Sequence, residues 1–235
     1  MIDMPSGYKK YFTACLELTG KPCLVVGGGD VARRKAAGLK DAGARIAVVS
    51  PKLDPVLEYM SFQKEITWKE KTFEPSDLNG AFLVIAATNN REVNQTIATL
   101  CREQNILCNV ADQSEEGSFI VPTTIERGPL TLAISTSGIS PILASNIRQE
   151  LELAYGEEYG LFLELLAPLR KMIQAEFTSP QQRQRIYERM ISSRVLSLLR
   201  SGMQEQAEKE LKEIIYKAKE EPRHPSGGSL PIVNR

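Results

Sequence analysis

The chain has little with which to hold a metal ion. Its 235 residues include a single histidine, His224, in the stretch 222–235, which contains Pro, Gly and Ser, lacks hydrophobic periodicity and reads as a disordered tail. Composition therefore excludes a histidine-based iron site in the folded body, and no metal site is expected. The four cysteines (Cys15, Cys23, Cys101, Cys108) share no metal-ligand spacing, and two fall in expected strands, so they read as reduced, buried thiols. Charge of neither sign is in excess: 29 Lys and Arg face 29 Asp and Glu. Net charge thus gives no argument for nucleic acid or a membrane surface, and any pull on an anionic substrate must come from local placement. No apolar run approaches the ~18 residues of a membrane span, and no signal peptide is recognisable. The expectation is a soluble cytoplasmic protein without internal repeats, long enough to bury a real core.

What is present is organised around Cys23-Leu24-Val25-Val26-Gly27-Gly28-Gly29-Asp30-Val31-Ala32-Arg33-Arg34-Lys35, an apolar strand running through three glycines into a helix. Gly27, Gly29 and Ala32 fit the G-x-G-x-x-G/A fingerprint of a dinucleotide-binding turn. Gly27 permits the tight turn, Gly29 lets the backbone approach a pyrophosphate, and Ala32 lets the helix sit close on the sheet. Free N–H groups at the helix start favour the phosphate charge.

Further strands are expected at Arg45–Val49, Glu65–Lys69, Phe82–Ala86 and Ile106–Val110, with helices over Asp30–Ala42 and Arg91–Gln104. This alternation argues for a right-handed, mostly parallel sheet. Residues 1–20, with Tyr8, Tyr11, Phe12 and Leu16, read as an extended lead-in or cover. After the second strand stands Ser50-Pro51-Lys52, where many NAD-binding folds place an acidic residue for the ribose. The local code therefore leaves NAD against NADP open. The fourth strand delivers Thr88-Asn89 at its carboxyl end, where open α/β sheets bind ligands, and the fifth is followed by Ala111-Asp112. Ser118–Ile125 and Leu130–Ser135 read as a β-hairpin, followed by a Thr136-Ser137-Gly138-Ile139 loop and helices from Pro141 to about Glu220. Pro168 is expected to kink its helix. Leu161, Phe162, Leu163, Leu165, Leu166, Leu169, Met172 and Ile173 form an apolar face too wide for a surface helix, which predicts a homodimer built on these helices and the hairpin.

Three segments, GGGDVARRKAAGL, AATNNREVNQ and NVADQSEEGSFIVPTTIERGPLTLAISTSGISPILASNIR, together resemble the precorrin-2 dehydrogenase family over residues 7–215. That family includes the N-terminal module of siroheme synthase and stand-alone dehydrogenases; no counterpart of the synthase's methyltransferase module is expected. The resemblance implies an α/β fold: a Rossmann-type parallel sheet, a small central β-hairpin region and a C-terminal helical dimerisation domain. The boundaries expected are 1–114, 115–149 and 150–220, with a tail over 221–235. It also implies NAD-dependent oxidation of precorrin-2 to sirohydrochlorin on the way to siroheme, and in some relatives iron insertion as well.

Carried over residue by residue, the resemblance assigns Asp112 to catalysis. A carboxylate past a strand's carboxyl end could take a proton as hydride leaves; it could equally orient the substrate or cap a turn. Gly27, Gly28, Gly29, Asp30, Val31, Ser50, Pro51, Lys52, Thr88 and Asn89 are the expected cofactor contacts. Thr136 and Ser137 are candidates for the tetrapyrrole cleft, against a plain loop role. Arg127 and Arg148 suit the substrate's carboxylates, since Arg pairs bidentately. The competing reading from another class is a non-catalytic, NAD-responsive regulator with a helical dimeriser.

Overall fold

The computed structural model describes residues 9–221, so Tyr8, His224 and the expected tail from residue 222 lie outside the described residues. The chain forms two compact units. The first holds the described residues up to Pro122 together with Ser135–Pro141, and the second holds Thr123–Ile134 and the residues from Ile142 onward. The expected central region, 115–149, is thus shared between the two units rather than forming one of its own.

The first unit is a five-stranded parallel sheet in the order β3-β2-β1-β4-β5. Its strands are β1 (Pro22–Val26), β2 (Arg45–Val49), β3 (Ile66–Lys69), β4 (Leu83–Ala86) and β5 (Leu107–Val110). All four residues of β4 are buried, as both faces of such a sheet are covered. One face packs on α1 (Asp30–Asp41) and α2 (Pro55–Phe62) through Val25, Ala32, Ala36, Leu57 and Ile85. The other packs on α3 (Arg91–Glu103) through Val84, Ala86, Ile97 and Cys101.

Helix α2 is absent from the sequence reading because eight residues are too few to show a helical period. Its start is nonetheless written locally: Pro55 opens it, and Asp54 accepts a hydrogen bond from the Val56 amide at 2.9 Å. The third and fifth strands begin one residue later than their apolar pattern suggests, for a common reason. Lys64 and Asn105 turn left-handed (φ 60° and 55°), and the Glu65 and Ile106 amides reach back to the Met60 and Cys101 carbonyls at 2.9 and 2.8 Å. Those amides close the preceding helices instead of opening the strands.

The second unit contains the antiparallel hairpin β6 (Thr123–Arg127) and β7 (Leu130–Ile134). The expected strand from Ser118 begins only at Thr123, because Gly117–Phe119 instead lies along β5 in the first unit. There the Ser118 amide donates to the Cys108 carbonyl at 2.8 Å. Gly128, at φ 52°, and Pro129 make the two-residue turn. The rest is helical: α4 (Pro141–Ala154), α5 (Glu157–Glu176), α6 (Pro180–Ser192), α7 (Val195–Arg200) and α8 (Gln204–Glu220). α5 runs on as one helix through Pro168.

The wide apolar face of α5 is used in part within the chain. Phe162 and Ile173 are buried, and Leu161, Leu165, Leu166 and Leu169 pack around a core shared with Met190, Leu199, Leu211 and Ile215 of the later helices. The other residues of that face stay partly exposed. Exposed apolar side chains in the second unit include Ile142, Leu143 and Leu153 of α4, the last 90% exposed, Ile191 of α6 and Tyr216 of α8. Among the described residues, no helix is long and apolar enough to cross a membrane, and no cluster of His, Cys, Asp and Glu could hold a metal ion.

Candidate functional site: a cleft at the strand exits

The strand order reverses between β1 and β4, and a cleft of about 570 Å³ opens there at the carboxyl ends of β1, β2 and β4. Gly27, Gly28, Gly29, Ser50, Pro51, Lys52, Thr88 and Asn89, all expected from the sequence, line it. Asp54, Thr72 and Phe73 also line it and were not singled out by the sequence.

The three glycines do different work. Gly27 turns at φ 123°, and a Cβ there would stand 2.2 Å from the Ala87 carbonyl oxygen. At Gly28 a Cβ would stand 2.0 Å from the Lys52 carbonyl oxygen and 2.7 Å from Ser50 Oγ. These two glycines let the exits of β4 and β2 close against the turn. Gly29 has nothing within 4 Å of its would-be Cβ, so its missing side chain keeps space clear over the helix start. As the N-cap of α1 it supplies no side-chain hydrogen bond, leaving the first amides available to an anion.

The exit of β2 is stiffened from within. Ser50 Oγ donates to the Lys52 carbonyl at 2.7 Å, Trp68 Nε1 donates to the Ser50 carbonyl at 2.9 Å, and the Asp54 amide donates to Gly28 O at 2.6 Å.

Asp30 and Val31 do not line the cleft. The Asp30 carboxylate turns along its own helix to Arg33 and to Arg34, whose Nε is 3.1 Å away, and the Arg33 hydrogen bond holds its pKa below the usual range. Arg33 and Arg34 are thus ion-paired within α1, while burial lowers the pKa of the neighbouring Lys35 ammonium.

Asp112 is exposed, just past the end of β5, and Asn94 Nδ2 donates to its Oδ1 at 3.2 Å. The same amide donates to the Thr88 carbonyl at 3.0 Å and accepts from the Thr88 amide at 3.2 Å. Sequence reading missed Asn94. The available signal was a polar residue at the buried phase of α3, three and seven residues before Ile97 and Cys101.

Thr136 and Ser137 lie in the first unit, like Asp112. Thr136 Oγ1 accepts from the Ser140 amide at 3.1 Å, and Ser137 is left-handed at φ 53°. A Cβ on the adjacent Gly138 would stand 3.0 Å from Ser114 Oγ, so this loop closes on the turn that follows Asp112. Tyr11 reaches that turn as well, its hydroxyl 3.5 Å from the Ser114 carbonyl.

Arg127 and Arg148 belong to the second unit and are engaged there: Arg127 Nε is 3.2 Å from Glu157, and Arg148 pairs with Glu152 one helical turn on.

The site fits a dinucleotide. Its glycine turn packs too tightly for a Cβ at Gly27 or Gly28 and is open at Gly29, the helix start is free of a side-chain cap, and the apolar wall from Val26, Val49 and Phe73 suits a flat ring.

Comparison with known proteins agrees along the chain. Residues 14–123 match an NAD(P)-binding family, 127–153 a sirohaem biosynthesis protein central region, and 158–215 a sirohaem synthase dimerisation region. Siroheme synthase 1 of Aeromonas salmonicida (strain A449) is 42% identical over 183 residues, 78% of this chain and 39% of that one. A siroheme synthase of Zymomonas mobilis is 37% identical over 223 residues, 95% of this chain and 46% of that one. The chain therefore spans less than half the length of these relatives. The solved structure of SirC, a precorrin-2 dehydrogenase, superposes with a TM-score of 0.72 at 28% identity, covering 86% of this chain and all of that one. With three matched regions following one another along the chain and a solved relative covered from end to end, the chain resembles precorrin-2 dehydrogenases and part of the siroheme synthases over most of its length.

Proposed function

We propose that this protein oxidises precorrin-2 to sirohydrochlorin with NAD⁺ in the cytoplasm. The observation that carries the reading is the juxtaposition, through Asn94, of the dinucleotide cleft's Thr88 loop with the exposed Asp112 carboxylate. The bound dinucleotide supplies a hydride acceptor. The chain's own residues do the rest. The amides at the start of α1, beside Gly29, hold the pyrophosphate, the Ser50–Lys52 exit meets the ribose, and Thr88 and Asn89 border the nicotinamide half. Asp112 receives the proton that the macrocycle loses with the hydride, or orients the ring for that loss. Thr136 and Ser137 line the tetrapyrrole side.

Incubation with precorrin-2 and NAD⁺, followed by absorbance, tests the assignment. Turnover is expected with NAD⁺, and calorimetry should show tighter binding of NAD⁺ than NADP⁺. No turnover at all would instead favour the regulator. Iron insertion, assayed on the same preparation with sirohydrochlorin supplied, distinguishes the bifunctional alternative.

The working assembly is a homodimer. The matched dimerisation region over residues 158–215 supports a contact through the C-terminal helices, and α4 adds exposed Ile142, Leu143 and Leu153. Light scattering at micromolar concentration should give twice the chain mass, and Leu153→Glu should shift it toward the monomer.

A further inference from the structure

We propose that Asn94 is a positioning residue that sets Asp112 and the Thr88 loop of the cofactor cleft as one rigid piece. The inference rests on the dehydrogenase reading and extends it to a residue that touches neither cofactor nor substrate.

Asn94 is 1% exposed, on the inner face of α3. A side-chain amide offers two donors and two acceptor sites, and all four are matched here. Oδ1 lies 3.2 Å from the Thr88 amide and 2.7 Å from the Thr88 hydroxyl; Nδ2 lies 3.0 Å from the Thr88 carbonyl and 3.2 Å from Asp112 Oδ1. The orientation of the amide is fixed by its neighbours. The Thr88 N–H can only donate, and the Thr88 carbonyl and the Asp112 carboxylate can only accept, so the reverse orientation would break three contacts. No other residue type of this size supplies both sets. Aspartate would keep the acceptors for Thr88 but face Asp112 with a second negative charge, and leucine or alanine would strand the Thr88 peptide.

The consequence is mechanical. Asp112 is exposed, and among the described residues this hydrogen bond is the one seen to hold its carboxylate, whereas the Thr88 loop is bound to both ends of the Asn94 amide. The two share one anchor, and the anchor is rooted in the buried stripe of Ile97, Ala98 and Cys101. A reacting group misplaced by about 1 Å can lose about a hundredfold in rate, so an anchor of this kind bears directly on turnover.

The test uses the full chain with Asn94→Ala and Asn94→Asp, each alone and combined with Asp112→Asn. Asparagine at 112 keeps an oxygen for the Nδ2 donor and removes the base. Both single variants should lower kcat for precorrin-2 oxidation by about 10- to 100-fold. In the Asp112→Asn background either change should alter the residual kcat, at saturating NAD⁺, by less than about twofold, because groups acting as a unit are not additive. NAD⁺ affinity by calorimetry, without substrate, should fall further in Asn94→Ala than in Asn94→Asp, which retains the Thr88 acceptors. Wild-type kcat in both variants, or losses that multiply with that of Asp112→Asn, would overturn the proposal. A readout free of turnover separates this result from failure of the dehydrogenase reading. The Asn94 side-chain amide resonances of wild type should move on adding NAD⁺ and also on Asp112→Asn. If they respond to neither, Asn94 is structural only, whatever the oxidation assay reports.

Discussion

Helices α1 and α5 begin in the same way and come to opposite ends. Each has glycine at its N-cap, Gly29 and Gly156, with no side-chain cap and acidic residues in its first turn. At α5 the protein fills its own positive pole. Glu158 folds back so far that a Cβ on Gly156 would stand 2.3 Å from its Oε2, and Arg200 Nε meets the other oxygen at 3.0 Å. At α1 the acidic residue is turned away. Asp30 lies along the helix with Arg33 and Arg34, and the space over Gly29 is empty to 4 Å. The dipole and the free amides are common to both helices, so they do not make a ligand site. What distinguishes the two is whether the chain's own carboxylate occupies the pole. The Gly29 end is left open for an external anion, and the Gly156 end is a structural joint.

The largest effect expected from this contrast lies beside the open pole. Asp112→Asn should lower precorrin-2 oxidation by ~10²–10⁴-fold while leaving NAD⁺ affinity within a few-fold, since it removes a proton acceptor and not a phosphate contact. Wild-type oxidation by a folded, dimeric Asp112→Asn would return Asp112 to an orienting or turn-capping role.

Displacing the wall beside the open pole should reverse the pattern. In Gly28→Ala the new methyl meets the Lys52 carbonyl at 2.0 Å, a backbone atom that cannot rotate aside, so the exit of β2 must move. NAD⁺ binding should weaken by at least about tenfold, a ground-state loss of about 1.4 kcal/mol or more, read directly by calorimetry. Unchanged affinity would show that the cradle is looser than its geometry implies.

The two poles also differ in how far the sequence discloses them. Val26-Gly27-Gly28-Gly29 and its helix are legible because the fingerprint is local: every residue that shapes the turn lies within a few positions of it. Strands β1, β2 and β4 are legible for a similar reason, mostly buried apolar runs bounded by turn residues. What escapes is set by contacts distant in sequence. Asn94 becomes meaningful only when α3 carries it to Asp112, 18 residues on. The apolar face of α5 carries no mark telling an intramolecular partner from a second subunit, and α6 to α8 take up part of it. Asp30 is expected at the cofactor from its place in the motif, yet Arg33 and Arg34 claim it at the spacing of one helical turn. That competing pairing was present in the same stretch of sequence.

Opening the filled pole should have the smallest effect, and only on stability. The Arg200 hydrogen bond, with the backbone amides at the start of α5, lowers the Glu158 pKa below its ordinary value of 4.5. A carboxylate whose folded pKa is depressed contributes stability that is fully present above the unfolded value and is lost as pH falls through the folded one. Glu158→Gln keeps the shape and removes the charge. It should cost about 1–2 kcal/mol at neutral pH, the worth of a hydrogen bond to a charged group with one partner exposed, and lower Tm by a few degrees. The gap between wild type and variant should stay constant from neutral pH down to about pH 5 and then narrow below 4.5, where wild-type Glu158 takes up its proton. Other depressed carboxylates, such as Asp77 beside Lys69 and Lys71, destabilise both proteins equally in acid and cancel from the difference. NAD⁺ affinity should not change, because this pole faces no ligand. A variant with weakened NAD⁺ binding, or a stability gap that widens in acid, would break the distinction between the open helix start and the closed one.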